Sequence, residues 1–286
     1  MTTKISVADE AGACYGVNRA LDMAREAAQD GVGPIHTLGP LIHNPCVVRE
    51  LERRGVSVVE SASEKPGGTI LLRTHGVTPT EERAAHASHD VVLDATCPFV
   101  IRAHQAAERL VQKGYTVLVL GEAGHPEVEA TLGHAPGAIA VSTPADLDDI
   151  VLGRKVGVVV QTTQSRHNLR ELVSALVGRC EELRVIDTIC EATSLRQEAA
   201  AKLANDSDIV VVIGGRNSAN TTRLAQICST FCPRTHHIES SSELEGSWFE
   251  GAENIGVTAG ASTPQSQIDD VIAAIGRLVG TEGVGV

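Results

Sequence analysis

The chain has 286 residues, 36 acidic against 24 basic side chains, 42% hydrophobic residues and only 2% aromatics. A net charge of −12 excludes a nucleic-acid partner on electrostatic grounds, because phosphate-backbone binding needs clustered Lys and Arg, and three Phe, two Tyr and one Trp offer little for base stacking. No apolar run reaches the roughly 18 residues of a membrane span, and MTTKISVADEAGACYG lacks an apolar signal core, so the expectation is a cytoplasmic protein without a membrane segment.

In chain order, the strand pattern KISVAD precedes Cys14, and GVNRALDMAREAA after it reads as an amphipathic helix. A strand PIHTLG, a polar loop PLIHNPCVV and a second strand-and-loop ILLRTHGV follow. VVLDAT then leads into Cys97, and the order begins again with PFVIRAHQAAERLVQKG, TVLVLG, EAGHPEVEA and VGVVVQTTQS. RVIDTI leads into Cys190, followed by EATSLRQEAAAKLAND, IVVVIGG, RNSANTTRL and NIGVTAGAST, and the helical pattern QSQIDDVIAAIGRLVG ends the series. An Arg lies five, five and six residues beyond the three Cys, at Arg19, Arg102 and Arg196.

This internal repetition predicts an α/β fold of three pseudo-equivalent domains, 1–96, 97–189 and 190–286. The last third has no evident fourth strand of its own, and KISVAD is the natural candidate to supply it. That would join the chain ends and bring the three Cys to a common centre. In open α/β sheets ligands bind beyond the carboxyl ends of strands, near helix N-termini. The polar residues of the two loop rings occupy such positions: His43, His125 and Asn220 in one, His75, Thr162 and Ser262 in the other.

A lone Cys is most often a small buried hydrophobe, but three at the same point of a repeat mark a shared site. Three thiolates at one centre suit zinc or an iron–sulfur cluster. Structural zinc usually takes four ligands in closely spaced pairs, whereas these Cys are 83 and 93 residues apart. A cubane held by three Cys leaves one iron open. Cys46, Cys180, Cys228 and Cys232 recur in no other third and read as packing residues. The loop residues, with Ser218, are mostly neutral donors at helix starts, a composition suited to a phosphate or diphosphate. Glu127, two residues after His125, would have its carboxyl pKa raised in such a cavity, poising it as a proton donor.

The segments CYGVNRA, LIHNPCVV, THGV, DATCPFV, GHPEVEATLG, QTT, DTICEATSLRQE, GGRNSANTTRL and VTAGAST, in this order, resemble the LytB family of 4-hydroxy-3-methylbut-2-enyl diphosphate reductases along nearly the whole chain. The resemblance implies three α/β domains around a central [4Fe-4S] cluster held by Cys14, Cys97 and Cys190, with one open iron. It implies reduction of an allylic alcohol diphosphate, with two electrons and two protons, to isopentenyl and dimethylallyl diphosphate. Glu127 would be the proton source, Thr162 would position the hydroxyl, and His43, His75, His125, Ser218, Asn220 and Ser262 would hold the diphosphate. Thr163 and Thr193 fall in matching motifs as supporting candidates. Departures from the family pattern are Ala13 before the first Cys, Ala219 in the third-domain phosphate loop and Glu191 after the third Cys, which leave a paralogue acting on another allylic diphosphate as an alternative. A second alternative is a cluster-based sensor or diphosphate-binding protein without turnover. No GxGxxG follows a strand, so electrons are expected from a ferredoxin or flavodoxin.

Overall fold

The structure, a computed structural model, describes residues 3–30 and 33–280. In chain order its strands and helices are β1 (Lys4–Val7), α1 (Tyr15–Asp30), β2 (Ile35–Leu38), α2 (Pro45–Arg53), β3 (Val56–Val59), β4 (Thr69–Leu72), α3 (Pro79–Ser88) and β5 (Val91–Asp94). The second third contributes α4 (Pro98–Gln112), β6 (Thr116–Leu120), α5 (Pro126–His134), β7 (Ile139–Val141), β8 (Lys155–Val160), α6 (Arg166–Leu176) and β9 (Glu182–Ile186). The last has α7 (Glu191–Asn205), β10 (Ile209–Ile213), α8 (Ala219–Phe231), β11 (Thr235–Ile238), β12 (Asn254–Ala259) and α9 (Gln265–Val279).

The strands form three four-stranded parallel sheets of one topology: β3-β2-β4-β5, β7-β6-β8-β9 and β11-β10-β12-β1. β1 takes the edge position that β5 and β9 occupy elsewhere, pairing Ile5 with Ile255 and Val7 with Val257. A strand from the beginning of the chain therefore completes the sheet built from its end. Two compact units result. One comprises the N-terminal segment through Tyr15, His43–Cys46 and the chain from Glu191 onward; the other comprises Gly16–Ile42 and Val47–Cys190.

The central strands are continuous apolar runs because helices cover both faces of a parallel sheet. TVLVL in β6 and IVVVI in β10 show this, with Val117 to Leu120 and all of β10 essentially inaccessible. In the second sheet Leu118, Leu120, Val158 and Val160 pack with Leu172 and Leu176 of α6, while Val117 and Val159 pack with Ala103, Ala107 and Leu110 of α4. In the third, Val211, Ile213 and Val257 face Ile268, Val271 and Ile275 of α9, and Val210 and Val212 face Ala200, Leu224, Cys228 and Cys232. Each such Leu or Ile contributes about 2 to 3 kcal/mol by leaving water. The packing role expected of Cys228 and Cys232 is met here, and burial pushes the Cys228 thiol up to about 12. Cys46 and Cys180 are half-buried, Cys180 against the Leu172–Leu176 core.

The strand order also sets the site. In each sheet the chain leaves the first strand of the third in one direction and returns on its other side. The loops after two neighbouring strands therefore diverge, the arrangement that opens a ligand crevice at strand carboxyl ends. Those loops follow β2 and β4, β6 and β8, and β10 and β12.

Candidate active site

The three Cys stand at equivalent points, each directly before or within the first turn of a helix: Cys14 before α1, Cys97 as the N-terminal cap of α4, Cys190 before α7. All three are half-buried, and none forms a disulfide. Each Cys main-chain N–H donates to a carbonyl in a loop after a strand: Cys14 to Ala261 (3.1 Å), Cys97 to Thr74 (3.0 Å) and Cys190 to Thr162 (3.1 Å). The loops that carry the polar residues are thus tied by main-chain bonds to the Cys turns.

These bonds also correct the alignment of the repeat by one residue. Turns closed by Gly76 N–H to Arg73, Gln164 to Gln161 and Thr263 to Gly260 make Thr74, Thr162 and Ala261 equivalent. His75, Thr163 and Ser262 are then the matching residues, not His75, Thr162 and Ser262. The other ring shifts by two residues between the second and last thirds. His125 and Ser218 are the N-terminal caps of α5 and α8, so Glu127 and Asn220, each two residues on, correspond. One third places a carboxyl group where another places a shorter, neutral amide. Insertions in loops of unequal length hid this from sequence spacing.

Glu127 lies in the first turn of α5 and is only 3% exposed. Its Oε1 accepts the Thr162 N–H (2.6 Å) and its Oε2 pairs with the Thr162 hydroxyl (2.9 Å). Burial raises its pKa to about 7, with Glu122 adding in the same direction, while the two Thr162 bonds act against the rise. His125 Nδ1 accepts the Glu127 N–H (3.1 Å), which places the proton of the neutral ring on Nε2. The His75 ring meets the His125 ring edge-on at 5.5 Å. Thr163, half-buried, has a hydroxyl without a hydrogen-bond partner.

Behind the His75 loop stands His104 of α4, 6% exposed and stacked on His134 at 4.4 Å. Gly76 has φ +77°, and a Cβ there would come within 2.6 Å of His104 Cε1. The loop therefore lies flat on the imidazole, and the Thr78–Glu81 capping box of α3 fixes its exit. Burial, then His134, lowers the His104 pKa to about 4, so this ring is a neutral packing surface. Its part in the site was not legible in the sequence.

In the other unit, Ser262 Oγ donates to the His43 carbonyl (3.1 Å), and Asn44 Nδ2 donates to the Ser262 carbonyl (2.8 Å) and to Gln267 Oε1 (3.0 Å). Asn44, 1% exposed, also accepts the Cys46 N–H on Oδ1 (3.0 Å). It is a brace that the sequence reading missed, although its place just before Pro45 matches the cap position of His125 before Pro126. Ser218 accepts the Thr221 N–H, and Asn220, 3% exposed, has neither amide oxygen nor amide nitrogen hydrogen bonded. A buried amide with its hydrogen-bonding capacity unused is chemically able to bond a polar group. Thr193 is buried in the first turn of α7, while Glu191 is exposed there.

The sequence profile of the LytB protein family matches residues 5–276. The chain belongs to the LytB family. Among its relatives, the 4-hydroxy-3-methylbut-2-enyl diphosphate reductase of Geobacter sp. (strain M21) is 48% identical over 277 residues, covering 96% of this chain and 98% of the relative. That of Geobacter sulfurreducens is 48% identical over 273 residues, covering 95% and 96%. A solved structure of (E)-4-hydroxy-3-methyl-but-2-enyl diphosphate reductase, described as the terminal enzyme of the non-mevalonate pathway, is 41% identical, with a TM-score of 0.71 over 96% of this chain and all of that one. The Plasmodium falciparum reductase structure has a TM-score of 0.91 at 25% identity, covering 96% and 89%. This LytB chain shares their α/β architecture of three parallel-sheet units. Among its described residues no helix is long and apolar enough to cross a membrane.

Proposed function

We propose that this protein is a 4-hydroxy-3-methylbut-2-enyl diphosphate reductase, which removes the allylic hydroxyl as water and yields isopentenyl and dimethylallyl diphosphate. The observation that carries the reading is the buried Glu127–Thr162 pair, because a pure binding or sensing protein needs no protonatable carboxyl held at the end of a strand. The family membership and the near-complete coverage by reductases support the same substrate.

Cys14, Cys97 and Cys190 would hold a [4Fe-4S] cluster. The donor set suits it: three soft thiolate ligands, each at a helix N-terminus. The Cys97 thiol itself has room because residue 16 is glycine: a Cβ there would come within 2.6 Å of Sγ. When bound, such a cluster supplies electrons singly and offers one iron without a protein ligand as a Lewis acid. The boundaries 1–96, 97–189 and 190–286 then divide the chain into thirds that each supply one Cys.

The remaining work falls to the chain's own residues. The reaction consumes two electrons and two protons, one proton leaving with the hydroxyl oxygen as water. Glu127, with a pKa near 7, carries a proton in a large share of molecules at neutral pH. Thr162 Oγ1 lies within hydrogen-bond reach of its Oε2, so the proton can pass through the threonine hydroxyl to the leaving oxygen. The Thr162 N–H stays on Oε1 and stabilises the carboxylate that forms. Diphosphate would be bound by His125 through Nε2–H, by His43, His75, Ser218, Asn220 and Ser262, and by helix N-terminal N–H groups. Neutral donors dominate this set, so an overall acidic chain holds an anion locally rather than attracting it from afar. Electrons would come from a ferredoxin or flavodoxin. The seven unbridged Cys suit a reducing, cytoplasmic setting.

The test is anaerobic reconstitution with iron and sulfide, followed by turnover with a reduced viologen dye. Consumption of hydroxymethylbutenyl diphosphate with formation of both products is expected. A cubane spectrum without consumption would refute the enzymatic reading and leave the sensor.

A further inference from the structure

We propose that Arg19 and Arg196 are positioning residues for the Cys ligands, each clamping the segment that leads into the Cys of the next third in cyclic order. The proposal rests on the reading of the three Cys as cluster ligands. Arg19, on the helix after Cys14, donates from Nη2 to the Asp94 carbonyl (3.1 Å) and from Nη1 to the Thr96 carbonyl (3.3 Å). Thr96 immediately precedes Cys97. Gly16 lies one turn earlier on the same helix face and is the residue that makes room for the Cys97 thiol. One face of α1 thus serves Cys97 twice, with space for its sulfur and a fork for its main chain.

Arg196, on the helix after Cys190, repeats the move for the first third. It is 4% exposed, and its Nη2 donates to the Gly12 carbonyl (2.9 Å), two residues before Cys14. Its Nη1 donates to the Ala192 carbonyl (3.1 Å), holding the start of its own helix. Both clamps run from one third to the next, first to second and third to first. A planar guanidinium grips two carbonyls at once, which a lysine ammonium does not reproduce.

Arg102, the third of the series, breaks the pattern. It is exposed and makes no hydrogen bond or ion pair among the described residues. The approach to Cys190 is held by its own side chains instead. Thr188 Oγ1 accepts the Val160 N–H (2.9 Å) and donates to the Val160 carbonyl, and Asp187 Oδ1 accepts the Ile189 N–H (3.1 Å). Asp94 makes the matching turn by accepting the Thr96 N–H (2.8 Å), but no threonine hydroxyl completes it. Arg19 supplies the missing constraint there. Arg102 is therefore a built-in control, equivalent in sequence and idle in structure.

The experiment compares R19Q, R19K, R196K and R102Q with the unaltered full-length chain, all reconstituted anaerobically. Iron and sulfide per chain, the rate of iron loss to a chelator, and the reduction potential are measured alongside the thermal unfolding of the metal-free proteins. Groups that orient metal ligands typically matter by about 10- to 100-fold in metal retention. R19Q and R196K are expected to lose iron faster by that factor with metal-free unfolding close to the unaltered chain, R19K to rescue little, and R102Q to stay within about twofold. Iron retention and potential unchanged in R19Q would overturn the proposal. So would iron loss that merely tracks a fall in metal-free stability, which would make the arginines general structural residues. If the unaltered chain assembles no cluster, the Cys reading itself fails; that outcome is distinct from an unaltered cluster that R19Q leaves undisturbed.

Discussion

Replacing Glu127 by Gln changes one oxygen to an amide and preserves shape. Oε1 can still accept the Thr162 N–H, so the turn that links Thr162 to Cys190 has no reason to move. What is lost is the proton. General acid catalysis typically contributes about 10²- to 10⁴-fold, so turnover by the reconstituted variant should fall by at least about 100-fold at unchanged iron content. A second consequence is opposite in direction. Burial raises the Glu127 pKa from 4.5 to about 7, so the folded state holds this proton more tightly than the unfolded chain. The stabilisation it brings is complete below pH 4.5 and is lost as pH rises through about 7, by about 3 kcal/mol in all. The variant carries no such titration. Denaturant unfolding of the metal-free proteins should therefore show E127Q gaining on the unaltered chain between pH 5 and 8, with the difference closing towards pH 4.5. The rate of the unaltered enzyme should fall above pH 7 as the acid ionises. An active E127Q, or a stability difference independent of pH, would refute the assignment of a protonated buried carboxyl.

T162A removes the hydroxyl that favours the Glu127 carboxylate, so the alkaline limb of the pH–rate profile should move to higher pH while turnover falls, with T162S restoring both. His104 is held neutral to about pH 4 although an unfolded His protonates near 6.5, so its contribution to stability is present above 6.5 and lost, by up to about 3 kcal/mol, as pH falls to 4. H104N should flatten that acid limb in unfolding experiments and, by loosening the Gly76 turn, raise KM for the diphosphate more than it lowers kcat. Alkylation of the metal-free protein at pH 8, read by mass spectrometry, should label Cys14, Cys97 and Cys190 well before Cys228, whose buried thiol ionises only near 12.

The sequence alone determined the threefold design, because strand and helix periods, loop chemistry and the place of each Cys recur along the chain. The same arithmetic of thirds anticipated that Lys4–Val7 would close the last sheet, since that third has a vacant edge. Recurrence along the chain likewise sets Cys14, Cys97 and Cys190 apart from the other four Cys. Tertiary structure decided what spacing could not. Loops of unequal length displaced the equivalences by one or two residues, so Thr163 rather than Thr162 matches His75, and Asn220 matches Glu127 rather than His125. The raised pKa expected of Glu127 has its cause in packing: Glu127 and Glu129 both follow His125 on α5, but Glu127 is buried and loses water while Glu129 is exposed. Arg19, Arg102 and Arg196 look alike in sequence, but only two of them meet carbonyl oxygens, because the third approach is already closed by Thr188. A repeat fixes which residue types arrive at a strand end; the packing of neighbouring elements then decides which of them are buried, bonded or left in solvent.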